Sequence, residues 1–424
     1  MSENSLPEKG SSLSGRRILF LQGPSSPFFA AAAQFCVAFG AYVTRLGVSP
    51  ADRLYWRRAG PYLPFRAPPE TFAEIFADLL HRLAPTDLVM LGDGRFHHAV
   101  ALSVLRATGH PATPWIVEHG YLRPDLIAVE TWGMGGRSGI PAAWAARRDE
   151  AAPMATPALP RASFLRYAAL DLGYHATNLA LAPLRYPHYR PHALDGPVAE
   201  YAGWIGKGLR RPARRAGRRR AETRIAAGDG PLFLFPLQLA TDYQIRTHGT
   251  GQPLAAILAE VVACFARHAP PAARLVVKGH PLDNGRARWD RQLAGLAGTL
   301  GERVIWLDGG DLPALIARAA GVVTVNSTVG LTALAAGRPV KTLGRAIYDL
   351  PRLTDPQPLA CFWQAPRAPD PVETAAFLRF LRRDYHVPGG FDGPAARIGA
   401  RALAERLAAP PPPAPPWVAT GTEA

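Results

Sequence analysis

Two segments in the second half of the chain place polar side chains directly after short, apolar, β-branched runs. The run at 275–278 leads into histidine and proline, and the run at 322–325 leads into Asn-Ser-Thr and a helical pattern. A buried strand, a small polar loop and a helix are typical of doubly wound α/β folds, which bind ligands beyond the carboxyl ends of their strands. Cationic and hydroxyl side chains beside a helix N-terminus suit a phosphate. The sequence therefore predicts a nucleotide-phosphate site formed by Lys278, His280, Pro281, Asn326, Ser327 and Thr328.

Each of these two motifs also has an ordinary structural explanation. Ser327 and Thr328 can cap the helix that follows them, and His280 can be a turn residue before Pro281. Either motif alone would favour the structural explanation. Because we expect the two strands to be neighbours in one sheet, both motifs together favour a binding site.

The first half of the chain carries charged side chains at the ends of predicted strands. Glu118 follows the strand predicted at 115–117, and Arg123 and Glu130 lie in the same polar stretch. A carboxylate in this position can act as a general base or as a nucleophile in glycosyl chemistry. The alternative is that Glu118 and Arg123 pair with each other and only hold the loop. Glu118, Glu130 and Arg123 are the candidate catalytic residues.

Further polar side chains are candidates for the same cleft. Three strand ends of the first half contribute such residues, and the loop after a strand that begins at Pro231 contributes others. Three polar strand ends on one sheet favour a site more than any one of them does. Each second-half residue, taken alone, is equally well explained as part of an ordinary polar loop. The candidates are Gln22, Ser25, Asp93, Arg95, His97, Gln238, Asp242 and Gln244.

Composition narrows the class of protein. The chain has 424 residues, of which 48% are hydrophobic, so we expect two or three domains with ample core. Its formal net charge of +15 favours phosphate-rich partners. Three dispersed cysteines exclude a disulfide scaffold and a thiolate zinc site. No secretory signal, membrane-spanning segment or metal-ligand spacing is present, so we expect a cytoplasmic protein without metal or other cofactor.

The order of strand and helix patterns predicts an α/β fold with two Rossmann-like lobes and an interlobe cleft, like the GT-B fold of glycosyltransferases. Strand patterns at 17–21, 42–46, 87–91 and 115–117 alternate with helices, and a second alternation runs from 231 to 344. From pattern alone, GT-B is one of several two-domain α/β folds. The predicted segments are a disordered tail (1–15), an N-terminal acceptor and catalytic lobe (16–150), a helical basic connector (151–225), a C-terminal nucleotide-binding lobe (226–350), closing helices (351–409) and a Pro-rich disordered tail (410–424).

A dense basic run lies at Lys207–Arg224. One interpretation is a solvated helix face or linker without a function. The other is binding of anionic lipid head groups, which attract such clusters by about 1 kcal/mol per Lys or Arg. RNA binding is the competing interpretation, but the run lacks the interleaved aromatic residues that stack on single strands, so no nucleic acid is expected. The candidate membrane contacts are Arg214, Arg215, Arg218, Arg219 and Arg220.

Six blocks of the sequence, taken in order, resemble the bacterial capsule polysaccharide synthesis family of the KpsS/LipB type. They are QGPSSPFF, GDGRFHHAVA, EHGYLRPDLIAVETWGMGGRS, PLQLATDYQI, KGHPLDNG and VNSTVGLTALAAGRPVKTLGRAIYD, and the resemblance runs from Arg17 to Thr354. The resemblance implies a GT-B glycosyltransferase of a Gram-negative capsule system. Such enzymes transfer β-linked Kdo from CMP-β-Kdo to a lyso-phosphatidylglycerol, or Kdo-primed, lipid. They work on the cytoplasmic face of the inner membrane, with other capsule assembly proteins as further candidate partners.

The resemblance also implies roles for particular residues. His280-Pro281 and Ser327-Thr328 are similar to two motifs of bacterial sialyltransferases, which bind CMP. The third motif of those enzymes, two acids and a glycine, would fall at 118–120, where His119 replaces the second acid. The implied reaction retains configuration, which requires a carboxylate nucleophile; Glu118 or Glu130 could be that group. The alternative function is a non-enzymatic accessory protein of capsule polysaccharide export.

Overall fold

The structure, a computed structural model, describes residues 12–57, 59–146, 164–191, 196–239 and 251–420. By their internal contacts the residues divide into two units. The first unit combines Met1–His192 with Arg379–Ala424, and the second unit is Ala193–Leu378. The second unit is thus an insertion in the sequence of the first.

The strands are numbered in chain order. They are β1 (Arg17–Phe20), β2 (Tyr42–Gly47), β3 (Tyr62–Pro64), β4 (Asp87–Leu91), β5 (Thr113–His119), β6 (Leu126–Thr131), β7 (Leu232–Pro236), β8 (Arg274–Lys278), β9 (Val304–Leu307), β10 (Gly321–Thr324), β11 (Val340–Thr342) and β12 (His386–Pro388).

The helices are numbered in the same way. They are α1 (Phe28–Ala38), α2 (Pro50–Trp56), α3 (Phe72–Leu83), α4 (Phe96–Thr108), α5 (Ile140–Ala146), α6 (Phe164–Arg185), α7 (Pro197–Leu209), α8 (Arg211–Ala227), α9 (Leu254–His268), α10 (Trp289–Ala297), α11 (Leu312–Arg318), α12 (Val329–Ala335), α13 (Leu359–Phe362), α14 (Pro371–Tyr385), α15 (Gly393–Ala408) and α16 (Pro416–Thr420).

The sheet of the first unit has seven strands in the order β12-β6-β5-β4-β1-β2-β3. Strands β1 to β5 are parallel to one another and follow the doubly wound order 3-2-1-4-5. Strand β6 returns antiparallel to β5, and β12 pairs antiparallel to β6. The apolar core contains Phe28 and Phe29 of α1 packed with Leu403 and Leu407 of α15. Helix α15 is therefore an integral part of the first unit.

The sheet of the second unit has five parallel strands in the order β11-β10-β7-β8-β9. Counted within the unit, this is again the order 3-2-1-4-5. Strands β7, β8 and β10 are buried along their whole length, as expected for a parallel sheet covered on both faces. The predicted α/β class with two Rossmann-like sheets is confirmed.

Two predicted segments differ from the structure. The connector at 151–225 is not one segment, because α6 belongs to the first unit whereas α7 and α8 belong to the second. The predicted disordered tail, as far as residue 420, lies on the first unit. There the carbonyl of Pro412 accepts a hydrogen bond from Thr131 Oγ1 at 3.3 Å, and Trp417 Nε1 donates to the carbonyl of Arg137 at 3.0 Å. Proline lacks the N–H group but keeps a carbonyl and an apolar ring, so this segment can still be anchored.

No helix within the described part of the chain is both long and apolar enough to cross a bilayer.

Candidate active site

The first polar cluster lies at the topological switch point of the second sheet, where β7 has β8 on one side and β10 on the other. Gln238, just beyond β7, donates a hydrogen bond from Nε2 to Oδ1 of Asn326, just beyond β10, at 2.9 Å. Doubly wound sheets bind their ligands at this point. The structure thus brings Gln238 and the 326–328 segment together where a ligand is expected.

The loop at 326–328 is held from three sides. The N–H of Ser327 donates to Thr324 Oγ1 at 3.1 Å, and the N–H of Val329 donates to Ser327 Oγ at 3.2 Å. The hydroxyl of Tyr348 donates to the carbonyl of Ser327. A Cβ at Gly330 would lie 2.1 Å from that hydroxyl, so only glycine allows Tyr348 to approach. Ser327 therefore does serve its own helix, as the structural explanation requires, and its hydroxyl hydrogen can still be donated to a ligand.

The lysine and histidine come from β8, which is not the neighbour of β10. Strand β7 lies between them, so the prediction of adjacent strands is wrong, and about 10 Å separates the two backbones. A ligand above the end of β7 would have the end of β8 on one side and the end of β10 on the other. The N–H of Leu282 donates to His280 Nδ1 at 3.1 Å, which leaves the proton of the neutral ring on Nε2. Lys207 of α7 donates to the carbonyl of Pro281 at 3.4 Å and so fixes the turn.

Lys278 carries a buried positive charge. It is 5% exposed, and burial lowers the pKa of its ammonium group, whereas the negative charge of Asp308 raises it. No carboxylate of the described chain lies within ion-pair distance of it. Buried charges are costly unless they are paired. Lys278 thus has the position and the charge to be neutralised by a bound anion.

The second cluster lies at the carboxyl ends of β4 and β5 in the first unit. A Cβ at Gly92 would lie 3.2 Å from Oε2 of Glu118, and Gly92 has a φ of +66°. The glycine therefore both makes the left-handed turn after β4 and leaves room for the carboxylate. Glu118 is half-buried, and its Oε1 accepts the N–H of His119 at 2.9 Å. The other oxygen faces the end of β4.

Asp93 is a second acidic residue at this end of the sheet, and its charge interacts with that of Glu118. It is 2% exposed, and its Oδ2 accepts the N–H of Met134 at 3.1 Å. Burial raises the pKa of Asp93, and the negative charge of Glu118 raises it further. Arg95, at the start of α4, donates from Nη1 to the carbonyl of Gly23 at 3.1 Å. Ser25 is half-buried in the same loop after β1.

Glu130 is placed differently from Glu118. It is 1% exposed on β6, and its two oxygens accept hydrogen bonds from the hydroxyls of Tyr121 and Ser138. Burial raises the pKa of Glu130 to about 8, so this carboxyl is mostly protonated at neutral pH. A protonated, fully engaged carboxyl is a poor nucleophile. The geometry therefore favours Glu118 for that role.

Arg123 does not pair with Glu118. It is exposed, its Nε donates to the carbonyl of Gly120 at 3.4 Å, and none of the ion pairs found in the described residues joins it to an acid. The loop-holding ion pair that was the alternative for Glu118 is thus absent. Arg123 lies in the loop after the catalytic candidate without contacting it.

Two of the other candidates belong to the core. Gln22 is buried and donates from Nε2 to the hydroxyl of Tyr174 at 2.8 Å, which ties β1 to α6. His97 packs edge-to-face against Phe65 and Phe72, and burial lowers its pKa to about 4. These side chains are explained by packing rather than by a ligand. The candidates Asp242 and Gln244 lie outside the described residues.

The arginines predicted to contact a membrane lie on α8, where they differ in their contacts. Arg214 forms a two-pronged pair with Asp308, and Arg218 faces Glu222 one turn away at 3.5 Å. Arg214 is therefore used inside the second unit. The side chains still exposed without a carboxylate partner among the described residues are Arg215, Arg219 and Arg220.

Two positioning residues escape sequence reasoning. Tyr348 holds the Ser327 loop, and Tyr121 holds Glu130. Both lie in sequence blocks that also contain the charged and hydroxyl residues predicted to form the site. The only hint in the sequence is Gly330, and a glycine does not reveal which aromatic ring fills the space beside it.

Two doubly wound sheets with polar strand ends define an α/β protein of the doubly wound class, and comparison with known proteins gives the family. The family model "Capsule polysaccharide biosynthesis protein" matches residues 86–391. The chain is 32% identical over 368 residues to the capsule polysaccharide export protein KpsS of Escherichia coli, covering 84% of this chain and 92% of KpsS. This chain therefore belongs to the capsule polysaccharide biosynthesis family.

A second relative agrees with this assignment. The capsule polysaccharide modification protein LipB of Neisseria meningitidis serogroup B is 30% identical over 392 residues, covering 89% of this chain and 92% of LipB. Among solved structures, the KpsC β-Kdo 2,7-transferase of Thermosulfurimonas dismutans aligns with 92% of this chain and 98% of its own, with 14% identity and a TM-score of 0.48.

Proposed function

We propose that this chain is a retaining glycosyltransferase that transfers β-Kdo from CMP-β-Kdo to a lyso-phosphatidylglycerol or Kdo-primed lipid acceptor and so builds the capsule linker. The family assignment supports a role in capsule polysaccharide biosynthesis. The observation that carries the proposal is the largely buried side chain of Lys278, which has no carboxylate of the described residues within ion-pair distance, near a switch point ordered by Gln238 and Asn326.

The second unit would hold the CMP part of the donor. Lys278, the Nε2–H of His280 and the hydroxyls of Ser327 and Thr328 are the donors for its phosphate. They would also stabilise the charge that develops on the phosphate as CMP leaves, which is the largest contribution in many transfer reactions. We propose that these groups act without a metal ion or other cofactor.

Glu118 would act as the nucleophile. Its carboxylate forms a bond to the anomeric carbon of Kdo while the bond to the CMP phosphate breaks. The acceptor hydroxyl then attacks the same carbon, displaces the carboxylate and releases its proton to solvent. Two inversions at one carbon give net retention.

The acceptor places the reaction at a lipid surface. We propose that the protein works on the cytoplasmic face of the inner membrane of a Gram-negative cell, bound there peripherally. The exposed arginines of α8 would attract the anionic lipid head groups. Other capsule assembly proteins would be its neighbours in polysaccharide transport.

A second candidate function is a non-enzymatic accessory protein of capsule polysaccharide export. It is favoured by the description of KpsS as an export protein. In that case the nucleotide-binding fold would serve as a scaffold, and neither Lys278 nor Glu118 would be needed for activity.

One experiment separates the two. The purified chain is incubated with CMP-β-Kdo and lyso-phosphatidylglycerol, and the lipid is analysed by mass spectrometry. Addition of one Kdo residue, lost in the Glu118→Gln variant, supports the transferase. Tight CMP binding without any lipid product would favour the accessory role.

A further inference from the structure

A cavity of about 560 Å³ opens on the first unit between α2, β3 and α6. It is separate from the strand ends that carry Glu118 and Asp93. Four arginines line it, two from α2 and its end, one from the segment after β3, and one from the end of α6. They are Arg53, Arg57, Arg66 and Arg185.

None of the four arginines forms an ion pair with a carboxylate among the residues that the structure describes. Arg57 donates from Nε to the carbonyl of Leu54 at 3.3 Å, which leaves its charge uncompensated. Asp52 of α2 is already paired with Arg45 at 2.8 Å inside the protein. Four like charges around one cavity repel each other, and an anion in the cavity would relieve that repulsion.

Two of the arginines are held in place by aromatic rings. The guanidinium of Arg53 lies over the ring of Tyr62 at 5.2 Å, and that of Arg66 lies over the ring of Tyr186 at 5.5 Å. The hydroxyls of Tyr62 and Tyr186 are 3.0 Å apart and hydrogen-bonded. Stacked guanidinium groups on joined rings lose little conformational freedom when a ligand binds. The cavity is therefore preorganised for an anion.

The rest of the lining indicates what accompanies the anion. A guanidinium group covers one face of Tyr62 and another covers one face of Tyr186, and Tyr186 is otherwise buried. The cavity therefore offers little aromatic surface on which a sugar or a base could stack. The remaining wall includes the aliphatic side chains of Leu54 and Leu181, both exposed to solvent. Leu184, three residues along α6, is 83% exposed. Aliphatic carbon beside clustered guanidinium groups suits an amphiphile with a phosphate head.

We propose that this cavity binds an anionic phospholipid, with its phosphate among the four arginines and its apolar part against Leu54, Leu181 and Leu184. Binding itself does not depend on any enzymatic activity. Only the further step, that the bound lipid is the acceptor, rests on the proposed function.

The test measures binding of short-chain lipids that stay monomeric, by calorimetry and without any sugar donor. The probes are dihexanoyl-phosphatidylglycerol, the zwitterionic dihexanoyl-phosphatidylcholine, and glycerol phosphate, which has the head group without chains. We expect phosphatidylglycerol to bind most tightly. Equal binding of phosphatidylcholine would contradict the anionic selectivity, and equal binding of glycerol phosphate would reduce the cavity to a free-phosphate site and overturn the lipid assignment.

The matched variants remove equal charge. Arg53→Gln/Arg66→Gln should weaken phosphatidylglycerol binding at least tenfold, or about 1.4 kcal/mol. The control Arg82→Gln/Arg397→Gln loses one exposed arginine and one stacked on Phe35 at 5.2 Å, and should change binding less than twofold. Arg185 is not stacked on a ring of the described residues, so Arg185→Gln should leave the fold intact and still weaken binding. This variant shows whether the loss of binding in the double variant is due to misfolding. Unchanged binding in both cavity variants would refute the proposal. CMP binding should be unchanged in all of these variants, which would show that the lipid cavity and the proposed nucleotide site are distinct.

Discussion

The amide groups of Gln238 and Asn326 face each other across the ends of β7 and β10. Gln238 Nε2 donates to Asn326 Oδ1 at 2.9 Å, and the backbone N–H of Asn326 points at Gln238 Oε1 at 3.4 Å. This reciprocal contact orders the start of the 326–328 loop through the protein's own side chains. Such contacts lower the entropy that binding at the proposed nucleotide site must overcome.

Lys278→Met should weaken CMP binding without lowering the free energy of unfolding. Because the side chain is 5% exposed and no carboxylate of the described residues lies within ion-pair distance of its ammonium, an apolar side chain of similar length should leave the free energy of unfolding unchanged or raise it. CMP binding should weaken at least tenfold, since a charge-assisted hydrogen bond contributes about 1.5–3 kcal/mol. Urea unfolding and calorimetry measure the two quantities. Lys341→Met, which removes an ammonium bonded to the carbonyl of Asp355, is the control and should keep CMP affinity. Normal CMP affinity in Lys278→Met would remove this residue from the site.

Glu118→Gln should abolish transfer and keep donor binding. The amide has nearly the same shape but is not a nucleophile, so turnover should fall by at least about a thousandfold. Glu130→Gln is the matched control, because that carboxyl is already mostly protonated and an amide replaces it closely. Turnover is measured by lipid mass spectrometry and donor affinity by calorimetry. Near-normal turnover in Glu118→Gln together with an inactive Glu130→Gln would transfer the nucleophile's role to Glu130.

Glu130 should also make stability depend on pH. Its pKa is about 8 in the folded chain and about 4.3 in an unfolded one, so the folded state holds the proton more tightly. The stabilisation from this group is therefore complete below about pH 4.3 and is lost as the pH rises toward 8. The wild type should therefore lose stability relative to Glu130→Gln over that range, because the amide does not titrate. Urea unfolding at several pH values measures it, with Glu74→Gln on the exposed face of α3 as control. A pH-independent difference would contradict the raised pKa.

The exposed arginines of α8 should bind anionic membranes. Replacing Arg215, Arg219 and Arg220 by Gln removes roughly 3 kcal/mol of attraction, or on the order of a hundredfold in vesicle binding. The effect should fade as the Debye length falls from ~10 Å at 0.1 M salt to ~3 Å at 1 M. Vesicle sedimentation measures it, with neutral vesicles and the Arg82→Gln/Arg397→Gln variant as controls. If mutant and wild type sediment equally with anionic vesicles, α8 does not bind the membrane and is only a solvated helix.

Strands with long apolar runs were predictable from the sequence, whereas short and returning strands were not. β1, β2 and β4 lie within a residue of the predicted segments, because burial on both faces selects continuous β-branched and apolar residues. β6 escapes prediction although four of its six residues are apolar, because polar and charged residues flank them closely on both sides. β12 has only three residues, and its pairing with β6 spans more than 250 positions of the sequence. No local pattern encodes such a contact.

The types of residue that form the site could be predicted from the sequence. Which of them lie next to each other in the fold could not. Strand ends identify Glu118, Lys278 and Ser327, because doubly wound sheets place polar groups there. The strand order, however, follows from tertiary packing, and so β7 unexpectedly separates β8 from β10. Burial also decides that Glu130 is protonated, and no spacing in the sequence shows it.

The insertion of the second unit has a consequence for synthesis on the ribosome. Residues 193–378 emerge as one continuous stretch, so the second unit can complete its fold as soon as they are made. The first unit must wait, because β12 and α15 are translated after that stretch. Until then the open edge of β6 and the apolar side of α1 stay uncovered, and both are surfaces through which nascent chains aggregate. The first unit therefore exposes surfaces that promote aggregation until its last strand and helix have been made.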